Sequence, residues 1–253
     1  ESIRLAAIKA LGETAVPENL SALVDLGVKA KQGKELAAVE AAISSACARV
    51  PDREACAAVL AASLPKGEAA VKAALLRSLG RVAGAKALEA VRAAVKEPAP
   101  DVRETALRVL ADWPDAAAAA DLLALAKSSD NKTHKILTLR GYLRLIGVST
   151  APVAQKLAMC KEALALADRD EERKLVLGAL GGAPCAEALA IVVPFLDNPA
   201  TKDEAAAAAV AIGERIAGAH RAEVAAAMTK VLKATQNADL AKRAKETLGR
   251  AGK

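Results

Sequence analysis

Aromatic residues are nearly missing: the 253-residue chain holds one Trp, one Tyr and one Phe, 1% of its composition. A core built on rings is excluded, and so are the stacked aromatic platforms on which single-stranded nucleic acids are held. Long apolar runs are missing too. The alanine blocks at 116–120 and 205–209 are short and flanked by charge, well under the roughly 18–20 apolar residues of a membrane-spanning helix. Histidine occurs twice, as His134 and His220, each near a helix start with no triad or metal-ligand neighbour in sequence. The four cysteines form no CxxC motif and no cysteine–histidine spacing of the zinc-site kind. No nucleophile elbow, phosphate-cradling glycine loop, HExxH or paired-carboxylate motif occurs. The expectation is a chain that is not an enzyme, with no catalytic residues, no metal and no cofactor.

Alanine dominates what is present, with 66 residues, yet none falls between Lys127 and Thr150. Alanine is the best helix former and its small side chain suits helices packed at short distance. Strand-type alternation of β-branched residues is absent, so the expected class is all-α. The net charge of +6 is uneven. From Met228 to Lys253, seven Lys or Arg face Asp239 and Glu246, a net of +5 that leaves the other residues close to neutral. A body-wide field for phosphate backbones is thereby excluded, and at most a basic tail remains.

The chain repeats itself. A small residue, a large apolar one, one or two variable positions and then Leu or Ile, often followed by Gly, recur with anchors at Leu11, Ala46, Leu79, Leu110, Ile146, Leu180, Ile212 and Leu248. Successive anchors lie 31 to 36 residues apart. Between them come helix-start signals, Pro17-Glu18, Pro51-Asp52, Pro114-Asp115 and Ala151-Pro152, and then a second apolar stretch. The unit is helix, tight turn, helix, loop. Seven such pairs fall at about 1–32, 33–66, 67–98, 99–130, 131–168, 169–200 and 201–236, followed by a capping helix over 237–253. The alanine-free stretch is the first helix of the fifth pair, with Ile136, Leu139, Leu143 and Ile146 on one face. The glycines after the anchors read as helix-ending caps.

A two-helix period near 34 has few candidates. Tetratricopeptide units need aromatic positions that this chain lacks, ankyrin units a Thr-Pro-Leu-His opening, and armadillo units are longer. "APDVRETALRVLADW" (99–113) and "ESIRLAAIKALGE" (1–13) resemble HEAT repeats of the short bacterial type, with their valine-arginine, alanine, leucine pattern. The resemblance implies a right-handed α-α superhelix whose second helices line the concave side, and a role in protein–protein interaction or scaffolding. "LRGYLRLIG", "ALALADRDEERKLVLGALGG" and "EALAIVVPFLDNPATKDEAAAAAVAI" further look like HEAT arrays attached to catalytic domains, such as 3-keto-disaccharide hydrolase or cytochrome c domains, in large exported bacterial proteins. That likeness implies an accessory module, a partner that is another protein or a neighbouring domain of the parent chain, and an extracytoplasmic setting ahead of a cytoplasmic one. Nucleic-acid binding through the basic residues of the array and the C-terminal segment is the alternative.

Few residues stand out as candidate contacts. Lys9, Arg77, Arg108 and Arg144 each lie two positions before an anchor, so stacked repeats would align them into a basic row able to take carboxylates or phosphates. Trp113 and Tyr142 are aromatics of the type enriched at binding hot spots. A second cation column, Arg4, Lys72, Arg103 and Arg173, falls in the first turn of first helices, where positive charge opposes the dipole and calls for carboxylate partners. Cys47 and Cys56 flank the Pro51-Asp52 turn nearly symmetrically, which makes a disulfide geometrically plausible beside the alternative of two buried thiols. Cys160 and Cys185 are expected to be reduced and buried.

Overall fold

Helices account for all the regular structure in the computed structural model, which describes residues 2–15, 19–30 and 33–252. The Pro17-Glu18 turn lies outside the described residues. The chain divides into two compact units, Glu1–Pro114 and Asp115–Lys253.

Unit 1 runs through α1 (Ser2–Thr14), α2 (Leu20–Lys29), α3 (Lys34–Arg49), α4 (Arg53–Ser63), α5 (Ala69–Val82), α6 (Ala85–Ala94) and α7 (Pro100–Ala111). First helices pack on first helices, α1 on α3, α3 on α5 and α5 on α7, while α2 packs on α4 and α4 on α6. Unit 2 holds α8 (Ala119–Ser128), α9 (Lys132–Val148), α10 (Val153–Leu166), α11 (Asp170–Gly181), α12 (Ala186–Val192), α13 (Lys202–Ile216), α14 (Arg221–Ala234) and α15 (Ala238–Ala251). Here α9, α11, α13 and α15 form the first-helix layer and α15 closes against α13 and α14. Each unit is a stack of helix pairs, the all-α repeat architecture expected from the spacing of the anchors.

Most of those anchors are core residues of their own unit. Ala46, Leu79, Leu110, Ile146, Leu180 and Ile212 are buried. Leu11 departs from the pattern at 46% exposure, because α1 packs on α3 through Ile8 and Gly12 instead. In α9, Leu139, Leu143 and Ile146 are buried as the periodicity predicts, and Leu145 and Tyr142 join them.

The glycines after the anchors are not caps. Positive φ among described glycines occurs at Gly33 and Gly84, whereas Gly12, Gly80 and Gly213 lie inside helices. These three are packing notches. A Cβ on Gly12 would stand 2.5 Å from Ala42 Cα, and one on Gly80 would stand 2.6 Å from Val109 Cγ1. Omitting the side chain lets successive first helices approach as closely as the alanine-rich sequence permits. The turn prolines also act differently from the expectation. Asp52 and Asp115 accept hydrogen bonds from Ala55 N and Ala117 N, so the acid caps the helix and the proline precedes it.

One cap crosses between helix pairs. The Glu54 carboxylate, on α4, accepts from the backbone amides of Ala85 (2.6 Å) and Lys86 (3.0 Å) at the start of α6. Gly84 supplies the approach, with φ of 91° and no side chain in the carboxylate's path. Two orphan amides of α6 are thereby satisfied by a charge that also favours the positive end of its dipole.

Candidate interaction surface

Second helices of unit 1 form a broad hollow. Small side chains of α4 and α6, including Ala58, Ala61, Ala90 and Ala93, floor a groove of about 660 Å³, and Leu64, Pro65 and Val102 close it. Lys86 and Glu89 stand on its rim with Lys72 and Glu97, which pair at 3.1 Å. Alanine at these positions keeps the floor low, which leaves room for a partner's side chains. The mixed rim gives polar contacts of both signs around an apolar centre.

The candidate basic residues fall elsewhere, on first helices, and are largely engaged. Arg77 grips Glu40 of α3 with Nε at 3.0 and 3.2 Å and Nη2 at 2.6 Å. That grip raises the Arg77 pKa further. Arg108 pairs with Glu104 one turn earlier at 2.7 Å, and Lys9 lies 3.8 Å from Glu13. Arg77 and Arg108 do meet, lining with Arg81 and Asp112 a hollow of about 370 Å³ between α5 and α7. Arg144, in unit 2, sits on the exposed side of α9. The first-turn cations find carboxylates as their position on the dipole requires. Arg4 bonds Glu35 of α3 at 2.8 Å, Lys72 bonds Glu97, and Arg173 bonds Asp170 of its own helix at 3.0 Å. Arg103 reaches the Glu97 carbonyl at 3.3 Å.

Trp113 and Tyr142 are buried, at 1% and 2% exposure, so neither ring is offered to a partner by the folded chain. Burial, reinforced by the Glu162 carboxylate and the Cys160 thiol, pushes the Tyr142 phenol well above its ordinary pKa.

All four cysteines are free thiols in the structure. Cys47 and Cys56 are neighbours across the α3–α4 turn, and burial, with the neighbouring thiol, pushes Cys47 up to about 12. Burial likewise raises Cys56, and Cys160 to about 11. Cys185 departs from the expectation of burial: it is half-exposed and its Sγ caps α12 by accepting from Ala188 N. His134 is half-exposed in α9, and His220 faces Glu223 at 3.4 Å.

Sequence reasoning did not single out the buried carboxylate of unit 2. Glu172 is 2% exposed and accepts bonds from Arg169 (2.8 and 2.6 Å) and from Arg140 of α9 (3.1 and 3.0 Å). These two guanidiniums, Arg169 foremost, hold its pKa below the usual carboxylate range against the opposing effect of burial. A folded-state pKa below the unfolded value contributes stability that is complete above the ordinary carboxylate pKa and lost as pH falls through the lowered one. Glu172→Gln is therefore expected to cost about 1–2 kcal/mol at pH 7 and to shrink that difference as the pH falls below about 4. Urea unfolding across pH measures it, and a mutant cost independent of pH contradicts it.

No group of three or more His, Cys, Asp or Glu able to hold a metal occurs among the described residues. No helix among them is long and apolar enough to cross a membrane. The family model of HEAT repeats matches residues 57–139, about a third of the chain and from α4 into α9. No curated protein matches the sequence. Residues 57–139 are thus similar to HEAT repeats, and helix pairs of the same form lie on both sides of that stretch. HEAT repeats generally serve as scaffolds for protein interactions and are typically non-catalytic.

Proposed function

We propose that this chain is a non-catalytic protein–protein interaction module, an accessory part of a larger bacterial protein, and that the α4–α6 groove is its contact surface. The observation that carries this reading is the groove itself, about 660 Å³ over an alanine floor within the matched stretch. Its occupant is another protein or a neighbouring domain of the parent chain. The engagement of the cations supports this reading over nucleic-acid binding: Arg77, Arg140 and Arg243 are held by Glu40, Glu172 and Glu214, which leaves fewer charges to release counterions from a phosphate backbone. An extracytoplasmic setting accords with the likeness to arrays of exported proteins, where an oxidised Cys47–Cys56 pair would tie α3 to α4.

A photo-crosslinking residue placed at exposed Ala93 tests the surface, beside the same residue at Arg108 on the first-helix side. Adducts to one protein from Ala93 and not from Arg108 are expected. Equal labelling from both positions, or none from Ala93, rejects the groove as the contact surface.

A further inference from the structure

A second, smaller hollow lies on unit 1 where the end of α3, the end of α5 and the first turn of α4 converge. Its volume is about 290 Å³, and its lining includes Ser44, Cys47, Arg53, Ser78, Arg81 and Val82. Ser78 is the informative residue. It is 1% exposed, and its Oγ makes no hydrogen bond. Several other helical hydroxyls of this chain turn back onto the carbonyl one turn earlier: Ser44 donates to Glu40 O, Ser63 to Val59 O, Thr138 to His134 O and Thr229 to Ala225 O. Ser78 forgoes that local bond, and a buried hydroxyl left without a partner costs free energy.

The charge around it is positive. Arg81 is exposed, with Nη1 2.7 Å from Ser44 Oγ and paired at 3.4 Å with Glu40 Oε1, a carboxylate gripped more closely by Arg77. Arg53 is exposed in the first turn of α4, and its side chain forms no ion pair among the described residues. Asp52 beside it is committed to capping α4. The Cys47 and Cys56 thiols stay protonated at neutral pH and add no negative charge.

We propose that this hollow binds a phosphate-type oxyanion, as inorganic phosphate or as the phosphate of a small monoester. Ser78 donates from the floor while Arg81 and Arg53 close from two different helices. Donors arriving from three sides suit a tetrahedral anion, which presents oxygen to each, better than a planar carboxylate. This site is separate from the α4–α6 groove and does not depend on what fills it.

Titration of the full chain with inorganic phosphate, ethyl phosphate and acetate, followed by amide NMR at constant ionic strength, tests the assignment. Saturable phosphate binding with Kd at or below about 1 mM is expected, with shifts centred on Ser78 and Arg81 and little response to acetate. The tighter of inorganic and ethyl phosphate identifies the form the site takes. Arg53→Gln is expected to weaken binding about tenfold. Ser78→Ala is expected to weaken it severalfold while leaving the free protein as stable as the parent or more so, because the unpartnered hydroxyl is gone. Arg108→Gln, outside the hollow, leaves the affinity unchanged. Absence of saturable phosphate binding, equal affinity for acetate, or affinity unaffected by both Arg53→Gln and Ser78→Ala overturns the proposal.

Discussion

Replacing Gly84 by alanine is expected to lower the stability of unit 1 by about 2–4 kcal/mol. Two costs fall together. The backbone there has φ of 91°, and neighbouring Ala83 already sits at 58°, so a side chain adds strain where one strained residue is present. The new Cβ also enters the space of Glu54 Oε1, which holds the Ala85 and Lys86 amides. Glu54→Ala alone is expected to cost about 1–2 kcal/mol by leaving those amides uncapped. In the double variant the collision disappears while the strain persists, so the two costs sum to more than the cost of the pair. Chemical denaturation of the four proteins measures this coupling. Additive costs would show that Glu54 does not hold the start of α6.

Leu79→Ala is expected to cost about 3–4 kcal/mol, in line with fully buried leucines elsewhere. The matching change at Leu11, an anchor by sequence but 46% exposed, is expected to cost under about 1 kcal/mol. Leu79 lies between α3 and α7 in the first-helix layer, so its loss leaves a cavity that neighbours on both sides must close. Among the described residues the first-helix neighbour of α1 is α3 alone. Thermal or urea unfolding of both variants tests the contrast, and equal costs would contradict it.

The contrast shows what the sequence discloses. Period, helix pairing and most anchors were legible because each repeat restates the same burial pattern, so an error in one copy is corrected by the others. Leu11 misled because the pattern records what a residue is built for and not whether a neighbour covers it. The glycines misled for another reason: Gly after an anchor is equally consistent with a cap or with a close helix approach, and only the 2.5 Å clearance to Ala42 separates them. The basic row was visible as spacing, yet Glu40 and Glu104, which engage Arg77 and Arg108, lie at positions no repeat template marks. Glu54, Glu172 and Ser78 occur once each in their roles, and a single occurrence carries no periodic signal. The groove was legible only as a choice of helices, since its alanines look like any others in a chain with 66 of them.

The central claim is that the α4–α6 groove holds a protein partner, and the direct measurement is affinity for the crosslinked protein once purified. Ala93→Arg fills the groove with a charged side chain at an exposed position and should leave the fold intact, which circular dichroism and the melting temperature verify. The expected result is at least a tenfold loss of affinity for Ala93→Arg and no change for Arg108→Ala. Unchanged affinity in a correctly folded Ala93→Arg protein would contradict the claim.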